Sequence, residues 1–199
     1  MPEYRSRTGR QIRSVPASFE TRNGDTGPVI AAYFAVFNTP TELYRGVIEQ
    51  IAPGAFASSL NGDVRALIDH ETRLVLGRTT AGTLILLEDE RGLYGEIKIN
   101  EADSDAMNLY ARVQRGDVDQ CSFGFDIERE TFVDLGDGCV RWEIEKVNPL
   151  YEVSVCTFPA YQETSVSARK QQLEEIQRRQ NELWRENMRK KIGGKKHGT

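Results

Sequence analysis

The chain has 199 residues, with 26 Lys+Arg against 30 Asp+Glu, two histidines and a formal net charge of −4 at pH 7. At about 100–200 residues per domain that length allows one sizeable core and little else. Hydrophobic residues make up 39%, and no window approaches the ~18–20 apolar residues of a membrane helix. Glu3, Arg5, Arg7, Arg10 and Arg13 precede any apolar run, so neither a secreted nor a membrane-associated protein is expected.

Residues 1–27 are rich in Arg, Ser, Thr and Gly without sustained periodicity, and read as a flexible N-terminal arm. From Pro28 the pattern becomes β-rich. Val29–Phe37 is nearly continuous apolar sequence, as in a strand buried on both faces. Gly46–Ile51, Val64–Ile68 and Leu74–Leu76 are shorter strand candidates. Thr83–Glu88 and Leu93–Ile99 flank Asp89-Glu90-Arg91-Gly92, which predicts a hairpin. A single helix follows, capped by Asp103 or Ser104, with Met107, Leu109, Tyr110 and Val113 as its apolar stripe and Gly116 as its stop. Strands resume at Asp119–Glu128, Cys139–Val147 and Tyr151–Phe158, the first two joined through the turn Leu135-Gly136-Asp137-Gly138. The expected fold is mainly β with helices (α+β), a closed or strongly curved barrel, because closure removes exposed strand edges.

After Tyr161 the composition changes. Residues 168–199 hold ten basic and four acidic side chains, a charge of +6, which leaves −10 for residues 1–167. Ala168–Ile192 lacks Gly and Pro, and Leu173, Ile176, Leu183, Trp184, Met188 and Ile192 recur at helical spacing. The domain layout is therefore an arm over 1–27, a β domain over 28–165 and a basic helical tail over 166–199. The tail's stripe fits either packing on the β domain or engaging another chain. Gly193–Thr199, with His197, reads as a frayed basic end.

Several chemistries are excluded by their motifs. No phosphate-binding glycine loop is present, and His70-Glu71-Thr72-Arg73-Leu74 has Leu where a zinc-binding helix needs its second histidine. Cys121, Cys139 and Cys156 are odd in number and lack a C-x-x-C pair, so they read as buried small hydrophobes in a reducing compartment. No metal and no cofactor are expected. Nucleic acid is expected to bind only weakly, through the basic tail, since the body is acidic.

Three residues stand out. His70 is the one histidine of the β region and follows a strand, where a loop can present it; imidazole is the side chain most often used as a general base. Ser122 shares a strand face with small Gly124, opposite Phe123 and Phe125, which leaves room for a substrate backbone. Glu152 sits in the otherwise apolar run Leu150–Pro159, and a carboxylate there requires a partner such as an imidazole N–H. By themselves these residues fit a structural role as well as a catalytic one.

Read together, Leu67-Ile68-Asp69-His70, Cys121-Ser122-Phe123-Gly124-Phe125, and Glu152-Val153-Ser154 running into Thr157-Phe158-Pro159-Ala160 resemble the prohead maturation proteases of tailed bacteriophages, relatives of the herpesvirus assemblins. Val36-Phe37-Asn38, Ile51–Phe56 and Leu76-Gly77-Arg78 add to the resemblance, which covers roughly residues 28–165. It implies a serine endopeptidase on a herpesvirus-protease-like β-barrel, with His70 as base and Ser122 as nucleophile. The herpesvirus relatives use a second histidine as third member. This body has none, so the matching Glu152 takes that role, with Asp69, Glu71 and Asp126 as weaker alternatives and Arg78 as a contributor to the oxyanion site.

The implied substrates are the major capsid protein and its scaffold segment, with the portal and the protease itself as further candidates. The implied location is the host cytoplasm, inside the procapsid, and a homo-oligomer is compatible with it. The tail would bind scaffold or capsid partners and be removed by self-cleavage. The rival expectation is a capsid-assembly or scaffolding module without catalysis.

Overall fold

The computed structural model describes residues 4–24, 27–137, 139–159 and 163–193. The chain divides into two compact units, Met1–Tyr161 and Gln162–Thr199. The first unit holds eleven strands, one α-helix and one 3-10 turn (Thr79–Ala81) among the described residues: β1 Tyr4–Pro16, β2 Glu20–Gly24, β3 Gly27–Val36, β4 Thr41–Tyr44, β5 Val47–Ile51, β6 Arg65–Ile68, β7 Glu71–Arg78, β8 Leu84–Glu88, β9 Gly92–Lys98, α1 Ser104–Arg115, β10 Gln120–Gly136 and β11 Cys139–Cys156.

Two sheets form. In one, β1, β10, β11, β5 and β4 run in that order, while β6 pairs with β11 and β7 with β6. The long β11 supports two parallel neighbours at different points of its length, β5 along Val140–Ile144 and β6 along Glu152–Val155. The other sheet, β2-β3-β9-β8, is antiparallel throughout. The mainly β character with few helices agrees with the sequence. The closed barrel does not: as described, both sheets are open, ending in edges at β1, β4, β7, β2 and β8.

Residues 1–27 also differ from expectation, since β1 and β2 lie within them and pair with β10 and β3. Their polar, aperiodic sequence carries no strand signal because the ladder holds them through backbone hydrogen bonds, which any residue but proline can make. The two expected strands around Asn148-Pro149 are one continuous β11. Proline is tolerated there because the ladder shifts register between Phe125↔Leu150 and Ile127↔Val147, a bulge that asks no hydrogen bond of the proline nitrogen.

Elsewhere local chemistry behaves as expected. The Asp103 side chain accepts from the N–H groups of Asp105 and Ala106, and Gly116, at φ 80°, closes α1. Ala106, Leu109, Tyr110 and Val113 are its buried face. Asp89 organises the β8–β9 turn by accepting from the N–H groups of Arg91 and Gly92. The three cysteines are free, Cys121 and Cys156 buried and Cys139 half-buried. No helix among the described residues is long and apolar enough to cross a membrane.

The core takes side chains from both sheets and α1. At its centre Phe123 lies 4.8 Å from Phe125, stacked, and 5.5 Å from Phe56, edge-on. Phe123 is fully buried and adjoins Ser122. Phe123→Ala is expected to cost about 3–5 kcal/mol, a large share of a domain's ~5–15 kcal/mol. Urea unfolding checks it: the midpoint should fall while the slope stays constant.

The second unit is one helix, α2, Glu163–Gly193. It begins before Ala168, the expected start of the stretch free of Gly and Pro, and before the expected domain boundary at 165. Glu175–Arg179 and Glu186–Lys190 form i,i+4 ion pairs, both at 2.8 Å. Leu183, Trp184 and Met188 are exposed. Residues 194–199, including His197, lie outside the described residues.

Candidate active site

β6 ends at Ile68 and β7 starts at Glu71, so Asp69 and His70 alone turn the chain. Both have positive φ, 47° and 63°, as a two-residue hairpin turn requires, and both residue types tolerate it better than most. Asp69 pins the turn to the end of β11. Its N–H donates to the Val155 carbonyl at 3.1 Å, and its carboxylate accepts from the Thr157 N–H at 2.7 Å and hydroxyl at 3.1 Å. The His70 ring is thereby set against the face of β11 that carries Glu152, Ser154 and Cys156.

His70 Nδ1 lies 2.8 Å from Glu152 Oε1. The same oxygen accepts from Arg10 Nη2 at 2.7 Å, and Oε2 accepts from the Ser154 hydroxyl at 2.6 Å. Glu152 is buried, so these partners are what make its charge tolerable. Burial pushes its carboxyl up, but the hydrogen bond and charge of His70, with Ser154 and Arg10, outweigh burial and hold it below the ordinary carboxylate range.

The other imidazole nitrogen, Nε2, faces Cys156 Sγ at 3.8 Å. Burial, with the charges of Asp69 and Glu152 adding to it, pushes that thiol up to about 12. The sulfur is therefore a neutral thiol at pH 7, a poor nucleophile.

Ser122 stands directly opposite Ser154 in the β10–β11 ladder, and Gly124 opposite Glu152. Cross-strand partners share a sheet face, so Ser122 lies on the face of the His70–Glu152 pair, one strand away. Its side chain is fully buried. Its hydroxyl donates to the Arg13 carbonyl at 2.9 Å and accepts from Ser14 Oγ at 3.2 Å. The structure thus brings His70 and Glu152 into contact and sets Ser122 beside them, with the hydroxyl held by β1 rather than by the imidazole.

The remaining candidates are engaged elsewhere. Asp69 holds Thr157, and exposed Glu71 pairs with Arg73 at 3.7 Å. Asp126 accepts from the Tyr151 hydroxyl at 3.0 Å. Arg78, expected near an oxyanion, is bound by both carboxylate oxygens of Asp63 at 2.6 and 2.7 Å, and that hydrogen bonding draws the Asp63 carboxyl down to about 2. Gly124 is small for a different reason than expected. A Cβ there would come within 2.6 Å of both Arg10 Nε and Glu152 Oε1, so the space reserved in the sequence for a substrate backbone holds an ion pair.

Two residues of this cluster escape the sequence reading. Arg10 sits in the aperiodic first segment and has no signal there. Cys156 does have one: strand alternation puts it on the face of Glu152 and Ser154. Among the described residues no group of His, Cys, Asp and Glu is arranged to hold a metal ion.

Comparison with known proteins bears on what such a cluster serves. Over 154 residues the chain is 32% identical to the prohead protease of Enterobacteria phage HK97, covering 75% of this chain and 63% of that protein, so it spans less than two thirds of its relative's length. The solved structure of the bacteriophage T4 capsid assembly protease superposes with a TM-score of 0.49 at 13% identity, over 75% of this chain and 98% of that one. Residues 16–179 match the family model described as caudovirus prohead serine protease, a span that takes in His70, Ser122 and Glu152, and the chain belongs to that family.

Proposed function

We propose that this chain is a serine endopeptidase that cuts capsid and scaffold proteins, and itself, during maturation of a tailed-phage procapsid. The observation that carries the reading is the 2.8 Å contact of His70 Nδ1 with buried Glu152, on the sheet face that also bears Ser122.

In this reading Glu152 keeps the proton on Nδ1, which leaves the Nε2 lone pair free to accept. The ring turns from Cys156 to the neighbouring strand and takes the Ser122 proton. The alkoxide attacks a peptide carbonyl, the imidazolium protonates the departing amine, and water hydrolyses the acyl-enzyme by the same route in reverse. Backbone N–H groups have to stabilise the oxyanion, since Arg78 is tied to Asp63. The likeness to herpesvirus assemblins, which the sequence suggests, belongs to this same proposal.

The substrates we assign are the major capsid protein with its scaffold segment, the portal, and the protease itself. The place of action is the procapsid interior within the host cell. The separate, positively charged helical unit fits a segment that binds an assembly partner and is later removed.

Co-expression with the major capsid protein of the same phage tests the reading. A shortened capsid band is expected with the wild-type chain and not with His70→Ala. Capsid protein that stays full-length with both would favour the scaffolding role instead.

A further inference from the structure

Residues 11–16 of β1 lie along the outer edge of β10 as an extended peptide, with Arg13 opposite Phe123 and Ser14 opposite Ser122. The Ser122 hydroxyl donates to the Arg13 carbonyl at 2.9 Å. The Arg13 side chain is buried and enters a slot closed by a buried carboxylate. Its Nε and Nη2 meet the two oxygens of Glu49, the second at 2.9 Å, and the guanidinium carbon lies 5.8 Å from the Phe125 ring centre. Both members of the pair are nearly inaccessible, Arg13 at 6% and Glu49 at 4% exposure. Two surface residues rarely meet this way, because desolvating both charges is costly unless the geometry is close to bidentate.

From this juxtaposition of a carbonyl on Ser122 and a guanidinium on Glu49 we propose that β1 occupies the substrate cleft as an internal peptide, that the Arg13–Ser14 bond is a self-processing site, and that Glu49 selects a basic residue on the acyl side of the bond cut. The inference rests on the serine-peptidase reading above and adds to it the chemistry of the substrate. It also explains why Ser122 is fully buried. A peptide substrate has to take the place of β1 and pair with β10 through its backbone, the strand-addition mode of recognition. Arg10 reinforces the occupied state by drawing on the same Glu152 oxygen that orients His70.

The chemistry balances within the chain and one water. Ser122 Oγ bonds to the Arg13 carbonyl carbon as the bond to the Ser14 nitrogen breaks. The serine proton passes through His70 to that nitrogen, which becomes a new N-terminal amine. Water then releases residues 1–13 as a carboxylate and restores the hydroxyl. The family match begins at residue 16, so the segment lost lies outside the matched region.

Intact-mass measurement and N-terminal sequencing of the full chain co-expressed with its capsid protein test the proposal. Wild type is expected to begin at Ser14. Arg13→Glu, which sets two carboxylates face to face, should keep its original N-terminus, with processing slowed about 10²-fold or more, the scale on which a lost buried charge partner is felt. The swap Arg13→Glu with Glu49→Arg should restore cleavage after residue 13, and its cuts in a peptide library should follow Asp or Glu, which rescue of a purely structural ion pair would not produce. Bonds cut by wild type in a library of unmodified bacterial peptides should follow Arg or Lys. The proposal fails if wild type processes the capsid protein yet keeps residues 1–13, if Arg13→Glu is cut as fast, or if the library cuts follow no basic residue; the peptidase reading survives those results. Absence of any cleavage overturns both.

Discussion

Glu152→Gln is expected to lower the rate of capsid-protein cleavage by about 10⁴-fold at pH 7 while the chain stays folded, the scale seen when the orienting carboxylate of such a triad becomes an amide. The side chain keeps its shape and Ser154 retains an oxygen to donate to, while Arg10, which shares Oε1 with His70, loses its acceptor when the amide nitrogen takes that position. What changes is the proton on the imidazole. A carboxylate can only accept, which fixes the Nδ1–H tautomer and leaves Nε2 basic. An amide can present its N–H to Nδ1 instead, and then Nε2 carries the proton and cannot take one from Ser122.

The same substitution has a signature in acid. The folded carboxyl of Glu152 lies below its ordinary value of about 4.3. Its ionised form therefore adds stability that is fully present above that value and lost as pH falls through the lower folded one. Thermal melts across this range should show the wild type losing stability from that source and Glu152→Gln not. Equal cleavage rates with a normal fold would remove Glu152 from the mechanism and leave it a structural ion-pair partner.

The parts of the fold that could be read in advance are those where side chains decide the structure. The β3 run, the Asp89 turn and the capped α1 each carry a local chemical cause, and each appears where it was placed. What escaped is held by backbone pairing over long separations. β1 joins β10 across more than a hundred residues, and nothing in Tyr4–Pro16 alternates in a way that records it. The sequence reads β11 as two strands around Asn148-Pro149 because the bulge that β11 carries there is invisible in one dimension.

The cluster divides in the same way. His70 and Glu152 could be paired because a carboxylate in an apolar strand must find a donor. Ser122 could be placed on their face because strand alternation is local. Arg10 and the Arg13–Glu49 pair could not, since they depend on β1. The direction of the His70 ring, toward Cys156 rather than Ser122, is a matter of packing that alternation does not reach.

That last feature sharpens the choice between two nucleophiles sharing one histidine. Cys156 lies 3.8 Å from the ring, yet its thiol is buried and held neutral; in the proposed reading Ser122 acts once β1 lifts and the ring turns. Cleavage of co-expressed capsid protein by Ser122→Ala and by Cys156→Ser separates them directly. The account predicts that Ser122→Ala leaves the capsid protein intact, a loss on the order of 10⁶-fold in turnover, while Cys156→Ser still trims it. Trimming that persists in Ser122→Ala and disappears in Cys156→Ser would contradict it.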